Sequence, residues 1–114
     1  MMTRNEKILC GVYGAIAAIA LVATWTHNLA FMAQPENRGA TSFILALYVN
    51  HASASIANDI LLYCLAGFIF MVHEARRLGI RFVWLYIVLS MGIAVSVMFP
   101  LFLIARQVAL ARQR

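Results

Sequence analysis

One carboxylate, Asp59, stands inside a long apolar stretch, and two imidazoles, His27 and His51, lie at the edges of neighbouring stretches. An acid beside imidazoles can pass a proton, hold a lipid headgroup or bind a cofactor, and ionisable groups inside a membrane suggest such roles. If three antiparallel helices fold about a turn near Gly79, Asp59 comes to the height of Pro100. Both then lie roughly 30 Å from the turn at about 1.5 Å per residue. His27 and Asn28 reach the same boundary from the first helix, and Asn50, His51 and Asn58 reach it from the loop. With Arg106 just beyond Pro100, the expected polar cluster is His27, Asn50, His51, Asn58, Asp59 and Arg106.

A helix entry explains the same residues without catalysis. Ser53 or Ser55 is a good N-cap, and Asn58 three residues after Ser55 imitates a capping box. Asp59 close behind is favoured by the helix dipole, and Arg106 can snorkel back towards it. The histidines lack the one-turn pairing of helical zinc motifs, so no metal site is expected. His27 stands near a boundary and His73 directly precedes Glu74, which is poor placement for an axial haem or chlorophyll ligand. The expectation is therefore no catalytic residue and no cofactor, with contact to a lipid or pigment as the remaining ligand chemistry.

The elements that must carry these residues follow from composition. Of 114 residues, 64% are apolar and 11% are charged, against about 45–50% and about 25% in ordinary soluble domains. So short a chain cannot hide that much apolar surface from water, and disordered chains have the opposite balance. An all-α integral membrane fold in a single domain remains. The net charge of +5 comes from basic residues scattered in small groups between apolar runs. That pattern suits headgroup anchors and anionic lipid, not nucleic acid.

Charge-free gaps mark three spans at about 8–32, 55–77 and 82–105, each near or above the roughly 20 residues needed to cross. The first is about twice the length of a signal-peptide core. A shorter apolar run at about 41–50 is expected as an interfacial helix. Three spans put Arg4, Lys7, Arg76, Arg77 and Arg81 on one side, and Arg38, Arg106, Arg112 and Arg114 on the other. The excess is slight, favours a cytoplasmic Arg4 end, and sends the basic tail to the opposite side. Cys10 and Cys64 differ in depth, so no disulfide is expected. Gly11 and Ala15, Gly14 and Ala18, and Gly92 and Ser96 are spaced four apart, which permits close helix approach. Glu74 and Arg77 can pair at the surface beside the Gly79 turn.

The segments Tyr48 to Ser55, Glu74-Ala75-Arg76-Arg77-Leu78-Gly79-Ile80-Arg81, Trp84-Leu85 and Phe99 to Arg106, together with Asp59, resemble a bacterial family, domain-of-unknown-function family 2834. The resemblance covers roughly 43–106, with the first span similar in character only. It departs at Tyr48-Val49-Asn50-His51, where the family pattern has Phe-Ala-Asn-Pro before the serine. That family has no assigned activity, so the resemblance implies a small multi-span membrane protein and no chemistry.

Two functions are compatible with these features. The favoured one is a non-enzymatic accessory or structural subunit of the bacterial inner membrane, packed against a respiratory or photosynthetic assembly, with membrane lipids and other membrane subunits as partners. The alternative is a membrane enzyme or carrier acting on a lipid or isoprenoid through Asp59, which would need that carboxyl dry and hard to ionise.

Overall fold

The computed structural model describes residues 2–34 and 39–113. Within them the chain is all-α, with helices α1 (Arg4–Met32), α2 (Ala40–Ala46), α3 (His51–Leu78), α4 (Val83–Gly92) and α5 (Val95–Arg112). Helices α1, α3 and α5 are long and apolar enough to cross a membrane, while α4 is apolar but only 10 residues long.

Helix α1 is opened by a capping box. The Thr3 hydroxyl accepts from the Glu6 N–H at 3.2 Å, and the Thr3 N–H donates to Glu6 Oε2 at 2.8 Å. Both satisfy donors that an uncapped helix start leaves free. Helix α3 is capped by Asn50, whose Oδ1 accepts from the Ser53 N–H at 2.8 Å. Neither Ser53 nor Ser55 is the cap, and the helix begins at His51, four residues earlier than expected. The expected interfacial segment at about 41–50 is helical over Ala40–Ala46, where Phe43 meets Phe31 of α1 edge-on at 5.4 Å.

The expected span over 82–105 is not one helix. Glycine at position 92 ends α4, Ala94 is extended, and α5 starts afresh at Val95. Pro100 sits in the second turn of α5 and offers no N–H to the carbonyl one turn back, which weakens continuity across this region. The break exposes backbone groups that cannot go unpaired in lipid. Several of them have partners. The Ile93 N–H donates to Leu89 O at 2.7 Å, the Met98 N–H donates to Ala94 O at 3.1 Å, and Trp25 Nε1–H of α1 donates to Ile93 O at 3.0 Å.

Helix direction follows from which residues meet. Phe99 lies against Tyr63 and Phe70, Arg106 against Glu74 and Gln113 against Leu78, so α5 runs parallel to α3. Ile104 faces Gly14, Val97 and Met98 enclose Ala17, and Ile93 meets Trp25, so α5 runs antiparallel to α1. The Tyr86 ring meets Phe102 edge-on at 5.6 Å, fixing α4 against α5 as a hairpin.

A parallel α3–α5 pair requires an intervening pass in the opposite direction, and residues 79–94 supply it. Gly79, in the left-handed region with φ 71°, closes α3. The Ile80 N–H returns to Ala75 O at 2.9 Å, and Ile80 packs on the cluster containing Ala75, which is the Schellman arrangement with its hydrophobic contact. Phe82, also left-handed at φ 61° and without a glycine's freedom, then redirects the chain into α4. About four non-helical residues at no more than about 3.3 Å each and ten helical residues at about 1.5 Å each can rise at most about 28 Å. That is enough to match the roughly 27 Å that the 18 residues of α5 descend.

The Arg4, Leu78 and Arg112 ends therefore lie together. Opposite placement of the two chain ends, expected from three full spans, is corrected by this extra pass. All the described Lys and Arg residues, Arg4, Lys7, Arg76, Arg77, Arg81, Arg106 and Arg112, belong to this end of the bundle. Single cysteines at Thr3 and Gln113, in a chain with Cys10 and Cys64 replaced by Ser, should react with an impermeant maleimide from the same side of a sealed vesicle. Labelling from opposite sides would contradict the parallel α3–α5 pair.

Candidate functional site

Five residues of the expected polar cluster lie towards one end of the bundle, but among the described residues no hydrogen bond or ion pair joins the histidines to Asp59, and Arg106 lies elsewhere. His27 on α1 and His51 at the start of α3 are exposed. Asn50 is occupied as the α3 cap, and Asn58 Oδ1 accepts from the Tyr48 hydroxyl at 2.8 Å. Asp59 is exposed and, among the described residues, has no ion-pair partner. It is the ninth residue of α3, about two turns in, whereas the helix-dipole effect fades within the first turn. Stabilisation of Asp59 by the helix start is thus corrected by the earlier start of α3. Among the described residues no three His, Cys, Asp or Glu side chains converge as a metal could require.

Arg106 leaves the cluster altogether. It lies at the opposite end of the bundle, where its Nε donates to Glu74 Oε2 at 2.6 Å. Because α5 points towards the α3 C-terminus, Arg106 is carried away from Asp59 and up to Glu74.

Glu74 is the buried charge of this protein's described core, with 4% of its surface exposed. Arg77 grips it from one turn along α3, Nε to Oε1 at 2.8 Å and Nη2 to Oε2 at 2.9 Å. This is the two-pronged geometry that makes guanidinium–carboxylate pairs both strong and directional. Arg106 adds the third bond from α5 and lays its guanidinium over the Phe70 ring, 5.6 Å from the centroid, a favourable cation–π position. The Glu74–Arg77 pair expected at the surface is present, but it is buried on the acid's side and completed from another helix.

Below the ion pair, Met71, Ala75 and Phe102 form a closed apolar cluster with Phe68, Ile80, Tyr86 and Phe99 around it. Phe99 Cε1 lies 3.9 Å from where a Cβ on Gly67 would sit, so the ring packs against α3 at ordinary contact distance there. These contacts dry one side of Glu74 and hold Arg106 in register. They build a clamp between helices in which both carboxylate oxygens are held by guanidinium groups. Arg106 was visible in the sequence as a lone cation after an apolar run. The signals for its true partner were Gly92 and Pro100, which bracket the break that reverses α5.

Removing one member of such a set leaves a buried charge short of a hydrogen bond. Arg106→Leu should lower stability by about 1.5–3 kcal/mol, the range for hydrogen bonds to charged groups. Glu74→Leu combined with Arg106→Leu should recover part of that loss, since a matched apolar pair leaves no buried charge behind. Thermal unfolding of the three proteins in one detergent checks this, and equal stability of all three would show that the pair holds nothing.

Comparison with curated proteins finds no match, and neither does comparison with solved structures. The profile described as "Protein of unknown function DUF2834" matches residues 12–108. That match takes in most of α1 as well as the Glu74 clamp and the α4–α5 hairpin, and on that basis the chain belongs to this family.

Proposed function

We propose that this protein is a non-enzymatic accessory subunit of the bacterial inner membrane, which packs through α1 against a larger membrane assembly of the respiratory or photosynthetic kind. The observation carrying this reading is the division of small residues on α1 into a used face and an unused one. Gly14 faces Ile104, and Ala17 is buried among Val97, Met98 and Ala20, so that face serves α5. Gly11, Ala15 and Ala18 are exposed and lie on one line of α1 at four- and three-residue spacing. A Cβ added to Gly11 would meet nothing within 4 Å. Faces of this kind let helices approach closely in lipid, where no hydrophobic force remains to bring them together.

Charge distribution supports an orientation. Every described Lys and Arg belongs to the Arg4/Leu78/Arg112 end, and the positive-inside rule sets such an end in the cytoplasm. The polar side chains with chemical potential contribute less to an enzymatic reading. His27, His51 and Asp59 are exposed and uncoupled, and Glu74 is fully engaged by two arginines.

The two faces of α1 give separable variants. Gly14→Leu should disturb the fold itself, because the added side chain meets α5. Gly11→Leu should insert and fold normally but shift the chain from a high-mass band to its own mass on a native gel from mildly solubilised membranes. A wild-type chain that already migrates alone under those conditions, unchanged by Gly11→Leu, would remove the support for a subunit role.

A further inference from the structure

We infer that the cleft between the α3–α4 connection and the last turns of α5 binds the phosphate of an anionic phospholipid, with Arg81 and Arg112 as its ligands. The cleft measures about 450 Å³ and is lined by Leu78, Ile80, Ala105 and Val108 together with Arg81 and Arg112. Both arginines are exposed, and neither has an acid partner among the described residues. This separates them from Arg77 and Arg106, which Glu74 engages.

The helix ends nearby do not need these two cations. The Leu78 carbonyl accepts from Gln113 Nε2 at 3.2 Å, and the Ala75 carbonyl accepts from Ile80. Two guanidinium groups thus remain to grip phosphate oxygens, each able to present a pair of parallel N–H donors. Apolar side chains line the same cleft as the two arginines, so a ligand here has a charged head and a hydrocarbon body. The cleft also lies at the basic end of the bundle, where headgroups are found and where basic pockets between membrane helices select anionic lipids. A free phosphate offers the same head but gains nothing from Leu78, Ile80 and Val108, so the site is assigned to lipid.

Native mass spectrometry of the detergent-solubilised full chain, titrated with phosphatidylglycerol, tests this. The wild type should retain one lipid. Arg81→Gln/Arg112→Gln should bind at least about tenfold more weakly, in keeping with about fivefold per lost cation. Arg4→Gln/Lys7→Gln removes the same charge from the same end on the α1 side and should bind like the wild type. Phosphatidylcholine and inorganic phosphate should both fail to compete at equal concentration. If the double arginine variant does not survive purification, the single variants decide, each expected to lose binding about fivefold. Equal losses in the arginine and the Arg4/Lys7 variants would overturn a defined site in favour of diffuse attraction, and full competition by inorganic phosphate would overturn the lipid assignment.

Discussion

Glu74 is a carboxylate with almost no access to solvent, and in such a place an unmatched charge costs several kcal/mol. Arg77, on the same helix, can reach it wherever the rest of the chain goes. Arg106 can reach it only if α5 runs parallel to α3, and that condition propagates through the fold. A parallel pair in consecutive long helices demands a return pass, the return pass must fit into residues 79–94, and the chain must then reverse sharply at Ile93–Ala94. The Trp25 indole, donating to the Ile93 carbonyl, lets α1 close the reversal from the other side.

The cost of this arrangement is a backbone interruption far from the Glu74 clamp, and the packing around it explains why it holds. Ala17, Val97 and Met98 are buried together, with Ala20, Leu89 and Ile93 against them, so the reversal is enclosed by apolar side chains from three helices. The Ser90 hydroxyl donates to Tyr86 O at 2.7 Å, and Thr24 to Ala20 O at 2.8 Å, which satisfies polar groups within the helices that bear them. Bringing α5 back also gathers the described basic residues at one end. Among the described residues the weak charge asymmetry of a three-span arrangement becomes a strong one, and that asymmetry is the physical basis of the proposed orientation and the proposed anionic-lipid cleft.

Composition and charge-free gaps were enough to read the membrane class, α1, α3 and the short helix near residue 43, because hydropathy over about twenty residues reports directly on burial in lipid. Direction within the last apolar run was not legible in that way. Phe82 to Ala105 has the same hydropathy whether it crosses once or folds into a hairpin, and only Gly92 and Pro100 hint at the latter. The Arg106–Glu74 pair spans 32 residues, so no local pattern could announce it. The α3 start was misplaced for a local reason: Asn50, Ser53 and Ser55 are all competent caps, and the choice among them depends on where the chain arrives from α2. Of the expected polar site, His27, Asn50, His51, Asn58 and Asp59 do lie towards one end of the bundle, and only Arg106 was misplaced, because its position rested on a helix direction that the fold reverses.

The account rests on Arg106 belonging to Glu74 and not to Asp59, and proximity cross-linking asks that question directly. In a chain with Cys10 and Cys64 replaced by Ser, cysteines at positions 74 and 106 should be joined in high yield by a short bismaleimide in native membranes. Glu74 and Arg106 meet at their side-chain tips, which leaves a gap too wide for a direct disulfide. The pair at positions 59 and 106 should remain open. Cross-linking of 59 with 106, and none of 74 with 106, would restore a single span over 82–105 and contradict the parallel α3–α5 arrangement on which the fold, the orientation and the lipid cleft all depend.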